Sequence, residues 1–236
     1  MTEEIFRDDA YAKTGEAVVV GVDAGGIELD RTIFYPMGGG QPGDAGILRA
    51  ADGREVSIID TRKDRDTGRH MHIPADDAPV LVPGDNVTME IDWQTRHKLM
   101  RMHTTLHLIC AIVDAEITGC QIGAEKSRID LNLQEGKPDK ELIQAKLDEL
   151  VAQDLAVSAG WITDDELAAK PGLVKTMSVQ PPTGMGSVRL MRIEGIDLQP
   201  CGGTHVARTG EIGKLRVGKI ENKGKHNRRI NVHLED

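Results

Sequence analysis

Aromatic residues are scarce in this chain. They make up 3% of its 236 residues, and four of the six (Phe6, Tyr11, Phe34 and Tyr35) lie in the first 35 positions. A surface that grips unpaired bases by repeated stacking is therefore excluded from most of the sequence. Cysteine is equally sparse, with only Cys110, Cys120 and Cys201. Three thiols in a chain this long argue against a secreted disulfide framework and for a reducing compartment. No stretch approaches the ~20 apolar residues of a membrane span, and the run Met1 to Asp8 has neither the basic flank nor the apolar stretch of an export signal. A soluble, cytoplasmic protein with no membrane partner is expected.

What is present suits a globular protein of one large domain or two ordinary ones, with 39% apolar and 28% charged residues. The formal net charge is −9, which taken alone disfavours a protein coated in positive charge for nucleic acid. Its distribution reverses that in part. Residues 205–231 hold eight basic side chains against Glu211 and Glu221, a net of +6, so the remainder sums to −15. A chain polarised in this way can meet RNA on one face.

From Ala17 to Asp92 short apolar runs (17–22, 26–29, 56–59 and 87–91) alternate with Gly, Pro, Asn and Asp. This predicts strands and tight turns, the pattern of a small β-barrel over residues 1–92. At Trp93 the period changes. Leu99, Met102, Leu106, Ile109 and Val113 recur at helical spacing, which predicts a long amphipathic helix to about Ala115. A second helix is expected after Pro138-Asp139, its apolar face carrying Leu142, Ile143, Leu147, Leu150, Val151 and Leu155. Thr163 to Glu166 forms a capping box for a short third helix that Pro171-Gly172 would end. Further strands are expected at 128–133, 187–193, 213–217 and 229–234, so residues 93–236 read as a separate α+β domain.

The chemistry centres on two pairs. His103 and His107 are four residues apart on the long helix, so their imidazoles project from one face and can share a metal ion. By itself that spacing also suits ordinary core or surface histidines. Cys201 and His205 repeat the interval across Gly202-Gly203, which allows a tight turn. Together the pairs offer three nitrogens and one sulfur, a donor set for one Zn2+ per chain. Four protein ligands also describe a closed structural zinc site. Cys110, Cys120, His70 and His72 lack partner motifs and read as structural.

These runs, Arg101 to His107 and Asp197 to His205, resemble the editing domain of alanyl-tRNA synthetases and of the free-standing AlaX proteins. The glycine-rich run Phe34 to Asp44 is similar to a motif in the barrel of the two-domain, medium-length members. The resemblance covers about residue 15 to the C-terminus. It implies a small N-terminal β-barrel followed by an α+β editing domain, with zinc between a long helix and a sheet, held by His103, His107, Cys201 and His205. It implies hydrolysis of the ester in mischarged tRNA(Ala), with serine or glycine as the wrong amino acid. Thr104 and Thr105 become candidates for contact with that amino acid, alongside the reading that they merely face the sheet. Gly38, Gly39, Gly40, Gln41 and Asp44 become candidate substrate-binding residues, alongside the reading of a simple turn. No Lys-Ser/Thr follows those glycines, so a nucleotide cofactor is not expected. Lys223, Lys225, Arg228 and Arg229, on an expected hairpin, with Arg96 and Lys98 ahead of the paired histidines on the metal helix, are the candidate contacts to the tRNA acceptor stem and 3′ end. An RNA-binding module with a purely structural zinc site, or a deacylase for another mischarged tRNA such as a threonyl one, would carry the same motifs.

Overall fold

The computed structural model describes residues 2–64, 66–134, 136, 138–177 and 186–235 and divides into two compact units, Met1–His97 and Lys98–Asp236. In the first, strands β1 (Glu3–Glu4), β2 (Thr14–Asp23), β3 (Gly26–Leu29), β4 (Arg31–Thr32), β5 (Gly46–Ala50), β6 (Glu55–Lys63), β7 (His70–Pro74) and β8 (Asn86–Ile91) follow one another. Six of them close into a barrel in the order β2-β3-β7-β6-β5-β8, and β1 pairs with β4 alongside. The strand period of two sets the interior: β8 buries Val87, Met89 and Ile91 and turns Asn86, Thr88 and Glu90 outward. Val19, Leu29, Leu48, Val56 and Ile58 meet them in the core, and each such side chain contributes roughly 1.5–3 kcal/mol when fully buried.

The four runs expected as strands fall within β2, β3, β6 and β8. Two barrel strands, β5 and β7, carry no such signal. The inner positions of β7 are held by His70 and His72, both buried. His72 satisfies its ring within the fold: Nδ1 donates to the Ile27 carbonyl at 2.9 Å and Nε2 accepts from the Thr32 hydroxyl at 2.8 Å. Burial, helped by the neighbouring His70, brings its pKa down to about 3, so the imidazole is neutral.

The second unit is built around helix α1 (Trp93–Val113), whose first five residues belong to the first unit. The helix is not amphipathic as expected. Every residue from Leu99 to Cys110 except Arg101 is buried. Its polar positions pair internally: Thr104 Oγ1 donates to the Met100 carbonyl at 3.0 Å and Thr105 Oγ1 to that of Arg101 at 2.8 Å. Polar residues that imitate a solvent face in sequence thus sit inside the unit.

Strands β9 (Glu116–Gln121) and β10 (Lys126–Asn132), helix α2 (Lys140–Ala152), strand β11 (Val157–Thr163), helix α3 (Asp164–Ala168), then β12 (Ser187–Ile193), β13 (Asp197–Pro200), β14 (Leu215–Asn222) and β15 (Asn227–Leu234) complete the unit. They form two sheets, β14-β15-β10-β9 and β11-β12-β13. Helix α2 buries Ile143, Leu147 and Leu150 as expected, whereas Leu142 is exposed. Thr163 caps α3 through the expected box, but the helix ends at Ala168, and Pro171 opens a separate 3-10 turn to Leu173. The strand expected from Gly213 begins at Leu215, because Gly213, at φ 71°, closes the preceding turn.

Candidate metal centre

His103 and His107 lie one turn apart on α1, and Cys201 and His205 on the loop that leaves β13. Their donor atoms all lie within 4.8 Å of one another. Cys201 Sγ is 3.4 Å from His103 Nε2 and 3.3 Å from His205 Nε2. A tetrahedral zinc ion with bonds of roughly 2.0 Å to nitrogen and 2.3 Å to sulfur needs donors roughly 3.5 Å apart, so the four residues fit the ion.

The loop is shaped by a residue that the sequence motifs did not single out. Arg189 on β12 is buried, and its Nη1 donates to the carbonyls of Cys201 at 3.1 Å and Gly203 at 2.9 Å. One guanidinium thereby gathers the turn that returns His205 towards Cys201.

Hydrogen bonds behind the donors fix which nitrogen faces inward. The Thr104 hydroxyl gives its one proton to Met100, so it can only accept from His205 Nδ1, 3.1 Å away, and from the Val206 amide at 3.3 Å. His205 therefore keeps its proton on Nδ1 and turns the Nε2 lone pair towards Cys201. His107 Nδ1 lies 3.0 Å from Asp197 Oδ2. Such outer partners orient ligating imidazoles. Asp197, Gln199 and Cys201 are spaced by two along β13 and its exit, and this period could have drawn attention to the first two.

Electrostatics favours a cation among these groups. Burial alone would push the Cys201 thiol up, yet His103 and His205 beside it hold it well below its ordinary value, in the thiolate form that binds metal. Burial, with His103 adjacent, lowers His205 to about 3 and leaves it neutral. Burial opposes charge on His107 as well, but the bonds to Asp197 and Cys201 outweigh it and raise its pKa to about 9. Asp197 stays ionised, held at about 2 by His107, Gln199 and Lys175 against its burial. Two anions thus face three imidazoles in one buried cluster.

Comparison with known proteins gives this centre a context. The family model for the threonyl and alanyl tRNA synthetase second additional domain matches residues 188–231, and that for class II (A) tRNA synthetases matches residues 6–95. The chain is 37% identical to the alanyl-tRNA editing protein AlaX-M of Methanosarcina acetivorans over all of both chains. It is 34% identical to the AlaX-M of Saccharolobus solfataricus over 98% of each. The chain belongs to the AlaX-M family of alanyl-tRNA editing proteins. It is also 32% identical to an alanine–tRNA ligase of Sulfurisphaera tokodaii, where 93% of this chain matches 25% of that longer one.

The other residues that the AlaX resemblance singled out lie in varied settings. Thr104 and Thr105 are fully buried with their hydroxyls engaged, so neither presents a group to solvent. In the first unit Gly38 and Gln41 bond reciprocally, amide to carbonyl, at 3.0 and 2.9 Å. Gly39 and Gly40 between them both have positive φ, at 55° and 83°, as a tight type I′ turn requires. Those two glycines are exposed, while Gln41 and Asp44 are buried. Arg96 is a correction to the RNA reading: its guanidinium is buried against Asp44, where no phosphate reaches it. Lys98 is half-buried on α1. Lys223 and Lys225 are exposed on the β14–β15 turn. Arg228 Nη1 bonds the carbonyl of Gly224 at 3.1 Å, and Arg229 pairs with Asp130 at 2.7 Å. No helix among the described residues is long and apolar enough to cross a membrane.

Proposed function

We propose that the chain is a zinc-dependent trans-editing hydrolase that removes the wrong amino acid, serine or glycine, from the 3′ end of mischarged tRNA(Ala). Membership of the AlaX-M family makes it an editing enzyme of the deacylating kind. The observation that carries the zinc reading is the convergence of three imidazoles and a thiolate-favouring cysteine on one point. His103, His107, Cys201 and His205 hold the ion, which when bound supplies Lewis acidity towards an ester carbonyl, a more acidic water, or an anchor for the amino group.

Thr104 keeps Nδ1 of His205 protonated, so that this ring presents Nε2. Arg189 holds the loop that carries Cys201 and His205. The glycine turn contributes contacts to the charged 3′ end through Gly38, Gly39 and Gly40, with Gln41 and Asp44 shaping it from within. Lys223 and Lys225, followed by Arg228, meet the phosphates of the acceptor stem, and Arg229, paired with Asp130, ties the hairpin to β10. Hydrolysis of this ester needs no nucleotide cofactor, and the cytoplasm is where its tRNA is met.

The deciding experiment is deacylation of Ser-, Gly- and correctly charged Ala-tRNA(Ala) by the zinc-loaded protein beside His103→Ala and Cys201→Ala. Both variants are expected to lose zinc and the release of serine. Full turnover by a metal-free variant would overturn the zinc reading. A zinc-saturated wild type that hydrolyses none of the three would leave a structural metal in an RNA-binding module, and faster hydrolysis of a mischarged threonyl tRNA would move the substrate.

A further inference from the structure

We propose that Asp197 is a positioning residue for the metal centre, holding His107 in its ligating form, and that Lys175 orients the carboxylate for that task. This rests on the zinc reading above. The Asp197 side chain is fully buried and its two oxygens are divided between different partners. Oδ2 faces His107 Nδ1 at 3.0 Å and accepts from the Gln199 amide at 2.7 Å. Oδ1 accepts from Lys175 Nζ at 3.0 Å. An ionised carboxylate can only accept, so Nδ1 of His107 donates to it and Nε2 is the nitrogen left for the metal, while the Gln199 amide, 3.1 Å from the same Nδ1, gives its proton to Oδ2.

Lys175 comes from outside α1 and β13. The segment that bears it is fixed to the edge of β9, with the Ile117 amide donating to the Lys175 carbonyl at 2.7 Å and the Met177 amide to the Ile117 carbonyl at 2.9 Å. The lysine therefore meets Asp197 from an anchored backbone, and it prevents the carboxylate from turning away from His107. Thr104 performs the corresponding task for His205 with a neutral hydroxyl. The two imidazoles are consequently unequal: His107 has an anion behind it and is the stronger donor, and His205 has not.

An Asp197→Asn variant separates this role from packing, because it keeps shape and volume but offers one acceptor where two are needed. With Lys175 in place the amide oxygen faces the ammonium and the NH2 group faces His107, which favours the wrong tautomer. Zinc affinity of the full-length protein, measured by competition with a chromophoric chelator, is expected to fall 10–100-fold. The d–d bands of the cobalt-substituted protein should shift with it. Adding Lys175→Met frees the amide oxygen to accept from His107, so the double variant should regain several-fold of the lost affinity. A mere packing defect would worsen when a second ion-pair partner is removed. Wild-type affinity and cobalt spectrum in Asp197→Asn overturn the proposal, as does a double variant that binds no tighter than the single one. A wild-type protein that takes up no zinc overturns the zinc reading instead.

Discussion

Arg96 and Asp44 form a buried ion pair that ties the first turn of α1 to the loop carrying the glycine turn. Arg96 Nε lies 2.9 and 3.0 Å from the two carboxylate oxygens, Nη2 donates to the Ile33 carbonyl at 2.8 Å, and Nη1 donates to that of Ala10 at 3.0 Å. Within the first unit, one guanidinium thus joins the first turn of α1 to the N-terminal segment, the end of β4 and the glycine loop. Asp44 in turn accepts from the Tyr35 amide. Removing one partner leaves a charge buried without compensation, so Arg96→Ala is expected to cost about 3–5 kcal/mol. Arg96→Lys keeps the charge but not the fork and should fall in between. Urea unfolding at neutral pH measures both, and a loss below about 1 kcal/mol for the alanine variant would contradict the assignment.

The glycine-rich run contains glycines of two kinds. At Gly43 an added Cβ would stand 2.1 Å from the Thr61 carbonyl oxygen and 2.4 Å from Asp60 Oδ1, whereas at Gly39 it would meet nothing within 4 Å. Gly43→Ala must move backbone in the barrel wall and should cost about 3 kcal/mol or more. Gly39→Ala faces only the strain of φ 55°, roughly 1–2 kcal/mol. Thermal unfolding should rank them in that order. If instead Gly39→Ala leaves stability nearly intact yet abolishes deacylation, the exposed tip has a role in substrate binding.

What fills the inner positions of an element decides how far it can be read from the sequence. Strands whose inner positions are Val, Ile, Leu or Met, such as β8, announce themselves by alternation. Strand β7 does not, because its inner side chains are the histidines His70 and His72, and the partners that satisfy His72, Ile27 and Thr32, lie far off in the chain. Helix α1 was legible in length but not in exposure, since Thr104, Thr105 and His107 look like a wet face until their internal partners are known. The metal residues were legible as two four-residue intervals. Of the groups that support them, Arg189 and Lys175 act through contacts between distant segments, which no local pattern records, and Asp197 is marked only by its period of two with Gln199 and Cys201. Arg96 shows the opposite error: a basic residue in a basic neighbourhood reads as a phosphate contact, and its buried carboxylate lies 52 residues away.

The basic hairpin separates into residues for RNA and residues for the sheet. Lys223 and Lys225 are exposed on the turn, while Arg229 Nε and Nη2 reach the two oxygens of Asp130 at 2.7 and 2.8 Å. Replacing both lysines by alanine should leave unfolding unchanged and weaken tRNA binding. The slope of log affinity against log salt should shrink by about 1.4–1.8 if each meets one phosphate. Arg229→Ala should instead cost roughly 1–3 kcal/mol of stability, because Asp130 loses a charged hydrogen-bonding partner. An unchanged salt slope in the double-lysine variant would remove the turn from the RNA face.

His72 gives the barrel an acid sensitivity of definite sign. Its pKa in the folded protein is near 3, against about 6.5 in an unfolded chain. Between those values the unfolded state binds a proton that the folded state refuses, so stability is full above about pH 6.5 and declines as the pH falls towards 3. The slope from this one group is at most about 1.4 kcal/mol per pH unit, and the whole loss is at most on the order of 5 kcal/mol. His72→Gln can still donate to the Ile27 carbonyl and accept from Thr32, but it does not titrate. Urea unfolding of both proteins from pH 7 to pH 5 should therefore give a shallower decline for the variant, and the difference between the two slopes cancels what other groups contribute. Equal slopes would mean that His72 accepts its proton inside the folded barrel.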